Sequence, residues 1–163
     1  MAANRIKVLF VGSNPGLSSP DDTPFHPSSR SRRTLDSWTK GLDIDTSYVN
    51  VCDFKTPNNR PLKQSEIQDA LPGLILKVSI YSNYRIVAVG KTASRALGMA
   101  NITKYHTVPH PSGRCRLLND EQFVANAVSA LIYFIKGYNN DTHATSTCKP
   151  MSEFGTPQSL QRS

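Results

Sequence analysis

Two short segments hold the residue types that chemistry needs. The first is Gly12-Ser13-Asn14-Pro15-Gly16, which follows an apolar run. Its glycines let the backbone turn sharply and come close to a ligand. Asn14 carries both donors and acceptors on one amide, enough to hold a water in a set direction. The segment lacks the lysine of a phosphate-binding loop and the spacing of a dinucleotide fingerprint. An ordinary strand-to-loop turn would have the same composition. The second segment is Pro109-His110-Pro111-Ser112-Gly113-Arg114-Cys115-Arg116. Prolines on both sides stiffen the backbone of His110, and a rigid histidine at a strand end suits the stabilisation of a developing anion. Arg114 and Arg116 are placed to meet phosphate or to enter a groove. A Pro-rich loop around a buried histidine is the structural alternative.

Two further groups lie between them. Asn50, in Tyr48-Val49-Asn50-Val51, stands near the end of an apolar run, where an amide must be satisfied. A base edge would satisfy it in both directions, and so would backbone. Phe25, in Pro24-Phe25-His26-Pro27, precedes Arg30, Arg32 and Arg33. An aromatic beside a basic run fits stacking on a base with phosphate contacts nearby; a solvated basic segment is the plainer reading. His26, His106 and His143 lack metal-ligand spacing, and the adjacent Asp21 and Asp22 would point apart.

The elements that must position these residues follow from apolar runs and breakers. Val8–Val11, Ser47–Val51, Arg85–Val89 and Tyr105–Val108 read as strands. Helices are expected over Ser31–Lys40, from an N-cap at Ser65, over Thr92–Leu97, and from a cap at Asn119 or Asp120. The Ser65 helix would bury Ile67, Ala70, Leu71, Leu74, Ile75 and Val78, and Pro72 should kink or split it. Strands alternating with helices predict an α/β fold of three layers, α/β/α, around a central, mainly parallel four-stranded sheet. The loops after Val11, Val51 and Val108 would then leave the carboxyl ends of strands, where such sheets bind ligands. Residues 1–137 are read as one domain. Residues 138–163, rich in Asn, Thr, Ser, Pro and Gln, are read as a polar, disordered tail.

Composition narrows the classes. A net charge of +7 over 163 residues favours a polyanionic partner. Three cysteines, Cys52, Cys115 and Cys148, make no disulfide framework and are too few for a four-thiolate cluster. No run is long and apolar enough to span a bilayer, so a membrane is not expected as a partner. Reduced thiols fit the cytoplasm, or the nucleus if the source is eukaryotic, or the host cytoplasm if it is viral.

Taken in order, Gly12-Ser13-Asn14-Pro15-Gly16-Leu17-Ser18-Ser19, Phe25, Asn50 and His110-Pro111-Ser112-Gly113-Arg114 resemble the uracil-DNA glycosylase superfamily over roughly residues 6–136. The first motif is similar to the mismatch-specific uracil/thymine branch, which has the form G-I-N-P-G-L-S-S. The second departs from that branch, which has Asn-Pro-Ser-Gly. Its histidine and following arginine are similar to the single-strand-selective monofunctional branch. Val49-Asn50-Val51 with Asn59-Arg60-Pro61 resembles the thermostable branch, without the cysteines for its cluster.

That resemblance implies an enzyme that flips a nucleotide out of DNA and hydrolyses its N-glycosidic bond. Asn14 would orient the attacking water and His110 would stabilise the leaving base. Ser13, Phe25 and Asn50 would bind the base, Phe25 by stacking and Asn50 by reading the uracil edge. Pro15, Gly16, Ser112, Gly113, Arg114 and Arg116 would contact DNA, Arg114 as the wedge. No metal or organic cofactor is implied. The expected partner is uracil-containing or mismatched DNA, double- or single-stranded, bound by a monomer. A catalytically silent DNA-binding or interaction module on the same fold is the competing reading. An enzyme acting on a free nucleoside or nucleotide is a third.

Overall fold

In a computed structural model, residues 5–111 and 116–137 are described. Strand β1 (Ile6–Gly12) leads through α1 (Arg30–Trp38) to β2 (Ile44–Asn50). A 3-10 turn at Pro57–Asn59 precedes α2 (Gln64–Ile80), which leads to β3 (Arg85–Val89). Then come α3 (Lys91–Met99), β4 (His106–Val108), a second 3-10 turn (Arg116–Asn119) and α4 (Glu121–Ile135). The strands form one sheet in the order β2-β1-β3-β4, and all three pairings are parallel.

The period of two in each strand sends alternate residues to opposite faces. Leu9, Val11, Val49 and Ala88 pack under α2 and α3, against Ile67, Leu74, Ala93, Ala96 and Leu97. Val8, Phe10, Val87, Val89 and Val108 pack under α1 and α4, against Leu35, Trp38, Leu131 and Ile135. Two apolar layers around one parallel sheet make the three-layer α/β/α architecture the sequence predicts. The chain leaves β1 toward one edge and returns through α2 to β3 beside β1. The carboxyl ends of β1 and β3 therefore flank the point where the strand order reverses, the place where open α/β sheets bind ligands.

Local signals explain the helix ends. Ser29 caps α1, its Oγ accepting from the Arg32 amide at 3.1 Å. Asp120 caps α4, accepting from the amides of Gln122 and Phe123 at 2.9 and 3.2 Å. Helix α2 departs from expectation in three ways. It starts at Gln64, not after Ser65, because the Glu66 carboxylate reaches back to accept from the Lys63 amide at 2.7 Å. It runs through Pro72 unbroken. Pro72 and Gln68, whose carbonyl loses its helical donor, both lie on the exposed side, open to solvent. Ile75 is 47% exposed on that outer side rather than buried. The polar segment 138–163 lies outside the described residues. No helix of the described residues is long and apolar enough to cross a membrane.

Candidate active site

Four strand ends meet at one cleft of about 490 Å³. Strand β1 ends at Gly12 and delivers Ser13, Asn14, Pro15 and Gly16 to its wall. Strand β2 delivers Asn50, β3 delivers Gly90, and the loop after β4 delivers His110. Phe25 enters from the long β1–α1 connection, Arg30 from the start of α1, and Asn59 and Arg60 from the turn before α2. Of the site residues expected from sequence, Ser13, Asn14, Pro15, Gly16, Phe25, Asn50 and His110 share this cleft. Ser112, Gly113 and Arg114 lie outside the described residues. Arg116 opens the second 3-10 turn.

The register explains the closest approach. Gly12 pairs with Asn50 across β1 and β2. A Cβ at Gly12 would lie 2.7 Å from Asn50 Oδ1 and 2.7 Å from two carbons of the Phe25 ring. Only glycine lets the amide and the ring converge there. Phe25 itself holds φ of +49°, a conformation that costs a non-glycine residue energy. Its carbonyl accepts from Arg32 Nη1 at 3.2 Å. The Arg32 guanidinium lies 4.3 Å from the centre of the Tyr48 ring, which packs 5.7 Å from Phe25. Arg32 and Tyr48 thus brace the strained aromatic from behind.

Asn50 is 3% exposed, and its Nδ2 has no hydrogen-bond partner among the described residues. A buried unpaired donor is costly. It stands on the wall of the cleft, beside the Phe25 ring, where a ligand acceptor could pair with it. Asn14 is held at both ends of its amide. Its Nδ2 donates to the Phe54 carbonyl at 3.1 Å, and its Oδ1 accepts from Ser13 Oγ at 3.0 Å. A carbonyl oxygen has two acceptor directions, so Oδ1 keeps one for a water. Across the cleft, His110 packs against Gly90, where a Cβ would come 3.2 Å from His110 Cβ. Gly90 has φ of +93°, which a side chain at that position would resist.

Cations enter this cleft and carboxylates do not. Arg30, Arg60 and Lys91 line it, with no Asp or Glu among the described lining residues. Arg60 is bound to Glu66 through two bonds of 2.8 and 2.9 Å. That pairing holds the Glu66 carboxyl down to about 2. Gly90, Lys91 and Thr92 were not foreseen as site residues. The signal was present: Gly90 ends β3 as Gly12 ends β1. A histidine outside the cleft lining, His106 on β4, is buried at 4% exposure and stacks on Phe134 at 5.1 Å, and burial pulls its pKa down to about 4.

The protein family model for the uracil DNA glycosylase superfamily matches residues 2–132. The chain belongs to that superfamily. The superfamily match spans all four strands and both motifs, from β1 to most of α4. A type-4 uracil-DNA glycosylase from Pyrobaculum aerophilum is 30% identical over 95 residues, which cover 57% of this chain and 48% of that protein. The chain thus matches about half the length of this superfamily relative. No solved structure matches the chain. An iron–sulfur cluster held by four thiolates, as in the superfamily's thermostable branch, does not fit the three cysteines of this sequence. Cys52 is buried at 3% exposure, with its thiol directed to the Glu66 carbonyl at 3.7 Å, and burial pushes that thiol up. Cys115 and Cys148 lie outside the described residues. Among the described residues no group of three or more His, Cys, Asp or Glu could hold a metal.

Proposed function

We propose that this superfamily member is a monofunctional DNA glycosylase that removes uracil, or a related damaged base, from DNA and leaves an abasic site. The observation that carries this reading is the buried, unpaired Nδ2 of Asn50, whose side chain stands beside the Phe25 ring. A flipped uracil stacked on Phe25 would accept from Nδ2 through O4 and donate N3–H to Oδ1. Cytosine presents the reverse pattern and would leave both groups mismatched. Ser13 borders the same base pocket.

The chemistry follows from what the cleft holds. An asparagine does not remove a proton at neutral pH, so Asn14 acts by orienting a water toward C1′. With no carboxylate among the described lining residues to activate that water, departure of the base would run ahead of its attack. The base leaves as an anion, and His110 stabilises the charge on its O2. Pro15 and Gly16, with Ser112 and Gly113, approach the phosphates, and Arg114 and Arg116 enter or flank the gap in the duplex. The branch within the superfamily is read as mixed: the first motif is mismatch-like, the His110 segment single-strand-selective-like, and the relative above is type-4.

The test is incubation with oligonucleotides holding uracil in a single strand, opposite guanine and opposite adenine, followed by alkaline cleavage. Thymine opposite guanine is added to rank the branches. Abasic sites on a uracil substrate are expected, with Asn14→Ala losing most of the turnover while DNA binding is kept. Asn50→Asp should relax the choice between uracil and cytosine. Absence of abasic sites on every uracil, hypoxanthine and oxidised-pyrimidine substrate would leave a DNA-binding module on this fold. Borohydride trapping of a covalent protein–DNA species would instead replace the monofunctional reading by a lyase, with Lys91 the lysine that lines the cleft.

A further inference from the structure

Strand β2 is an edge of the sheet. The peptide joining Asn50 to Val51 is trans, so its N–H and C=O point in opposite directions. Its N–H, on Val51, donates to the Gly12 carbonyl at 2.9 Å. Its C=O, on Asn50, is therefore turned away from the sheet, where no further strand among the described residues donates to it. The residue is 3% exposed, so water does not take that place freely. Lys77, from α2, does. Its Nζ donates to the Asn50 carbonyl at 2.8 Å and to both oxygens of Asp53 at 3.0 Å.

We propose that Lys77 is a positioning residue for base recognition: by holding the outward carbonyl of Asn50 it fixes where the Asn50 amide stands beside the Phe25 ring. The peptide is pinned from both sides, by β1 through its N–H and by α2 through its C=O. The Asn50 side chain leaves the backbone directly next to this doubly held peptide. Without the lysine, the buried carbonyl has no donor, and the peptide gains by rotating toward water. That rotation swings the Asn50 Cα–Cβ bond and carries the amide off the base edge. Asp53, more exposed than the lysine, keeps the ammonium in place. What the amide reads rests on the function proposed above; how Lys77 holds it does not.

The experiment follows the ¹⁵N–¹H signal of the Asn50 side-chain amide, identified by its loss in Asn50→Asp. Free uracil and free cytosine are titrated into the wild-type protein, Lys77→Met and Lys77→Arg. Uracil should shift the wild-type signal and cytosine should not. Lys77→Met should start from a displaced signal and bind uracil about tenfold more weakly, and Lys77→Arg, which keeps a donor, should restore both. An undisplaced signal in Lys77→Met overturns the proposal. So does equal weakening in the methionine and arginine variants with an undisturbed amide, which would mean the lysine only stabilises the fold. If the wild type binds no uracil, the proposed function falls, and displacement of the Asn50 signal alone still decides the role of Lys77.

Discussion

The two halves of the cleft are built differently. On the β1–β2 side the loops are interlocked. Asn14 donates to the Phe54 carbonyl at 3.1 Å, the Leu17 amide donates to Asn59 Oδ1 at 2.9 Å, and Lys55 Nζ donates to the Ser19 carbonyl at 2.6 Å. The ladder itself continues past the strands, with Val51 and Cys52 donating to Gly12 and Ser13 at 2.9 Å each. On the β3–β4 side the ladder is shorter and close packing adds to it. Strand β4 has three residues, the Gly90 amide donates to the Val108 carbonyl at 2.8 Å, Thr107 Oγ1 donates to Ser94 Oγ at 3.2 Å, and His110 packs on Gly90. The side that would orient water and read the base is tied by bonds between its loops, which fix angles. The side that would meet a spreading negative charge rests on a short strand and the close approach of His110 to Gly90.

The largest effect should come from closing the tight side. Gly12→Ala puts a methyl 2.7 Å from Asn50 Oδ1 and from the Phe25 ring, both anchored from behind. Displacement by about 1 Å at a reacting centre costs about 100-fold or more in rate. Uracil excision should fall by that factor or beyond, while circular dichroism stays native. Activity within about threefold of wild type would mean that the ring and amide give way, and the rigid half is not rigid.

The next effect separates the halves by pH. His106 on β4 is neutral and buried, with a folded pKa near 4 against 6.5 when free. Between these values the unfolded chain takes the proton and the folded one does not, so stability present above pH 6.5 is lost as pH falls toward 4. The difference is about 3 kcal/mol. On the other half, the Glu66 carboxyl bound to Arg60 is held down to about 2, so its contribution starts to be lost only below its free value of 4.5. Denaturant unfolding at pH 7 and pH 4.5 should show the loss, and His106→Phe should remove most of it. An unchanged pH dependence in that variant would move the acid-sensitive group elsewhere. Gly90→Ala is weaker. It strains a φ of +93° and nudges His110, which costs about 2 kcal/mol of stability and about tenfold in turnover. A larger loss than from Gly12→Ala would reverse the comparison.

The two halves also differ in how much of them the sequence shows. Arg85–Val89 is legible to the residue, since an apolar β-branched run between breakers allows little else. The cap of α4 is legible to within one residue: Asn119 or Asp120 is expected, and Asp120 is the cap. Asn14, Asn50 and Phe25 could be named because amides and aromatics beside apolar runs are conspicuous. Their supports could not. Lys77, Asn59 and Arg32 act across 27, 42 and 7 positions, and a charged residue on a helix reads as solvated until its partner is in view. Pro72 misleads in the opposite way, because its cost depends on which side of α2 faces water.

The smallest effect tests the interlock itself. Asn59 sits at φ of +55°, so an alanine there would mix strain with the loss of its side chain. Glycine adopts that conformation at no steric cost, and Asn59→Gly isolates the bond from Oδ1 to the Leu17 amide. One such bond contributes about 1 kcal/mol. The loop that bears Asn14 and Gly16 keeps its ties to Phe54 and Lys55, so turnover at saturating DNA should hold. KM should rise about threefold, because the Pro15–Gly16 backbone meets phosphate from a less ordered start. If kcat falls and KM does not, the Leu17 tie reaches through to Asn14, and the bonds across these loops act as one unit rather than as separate struts.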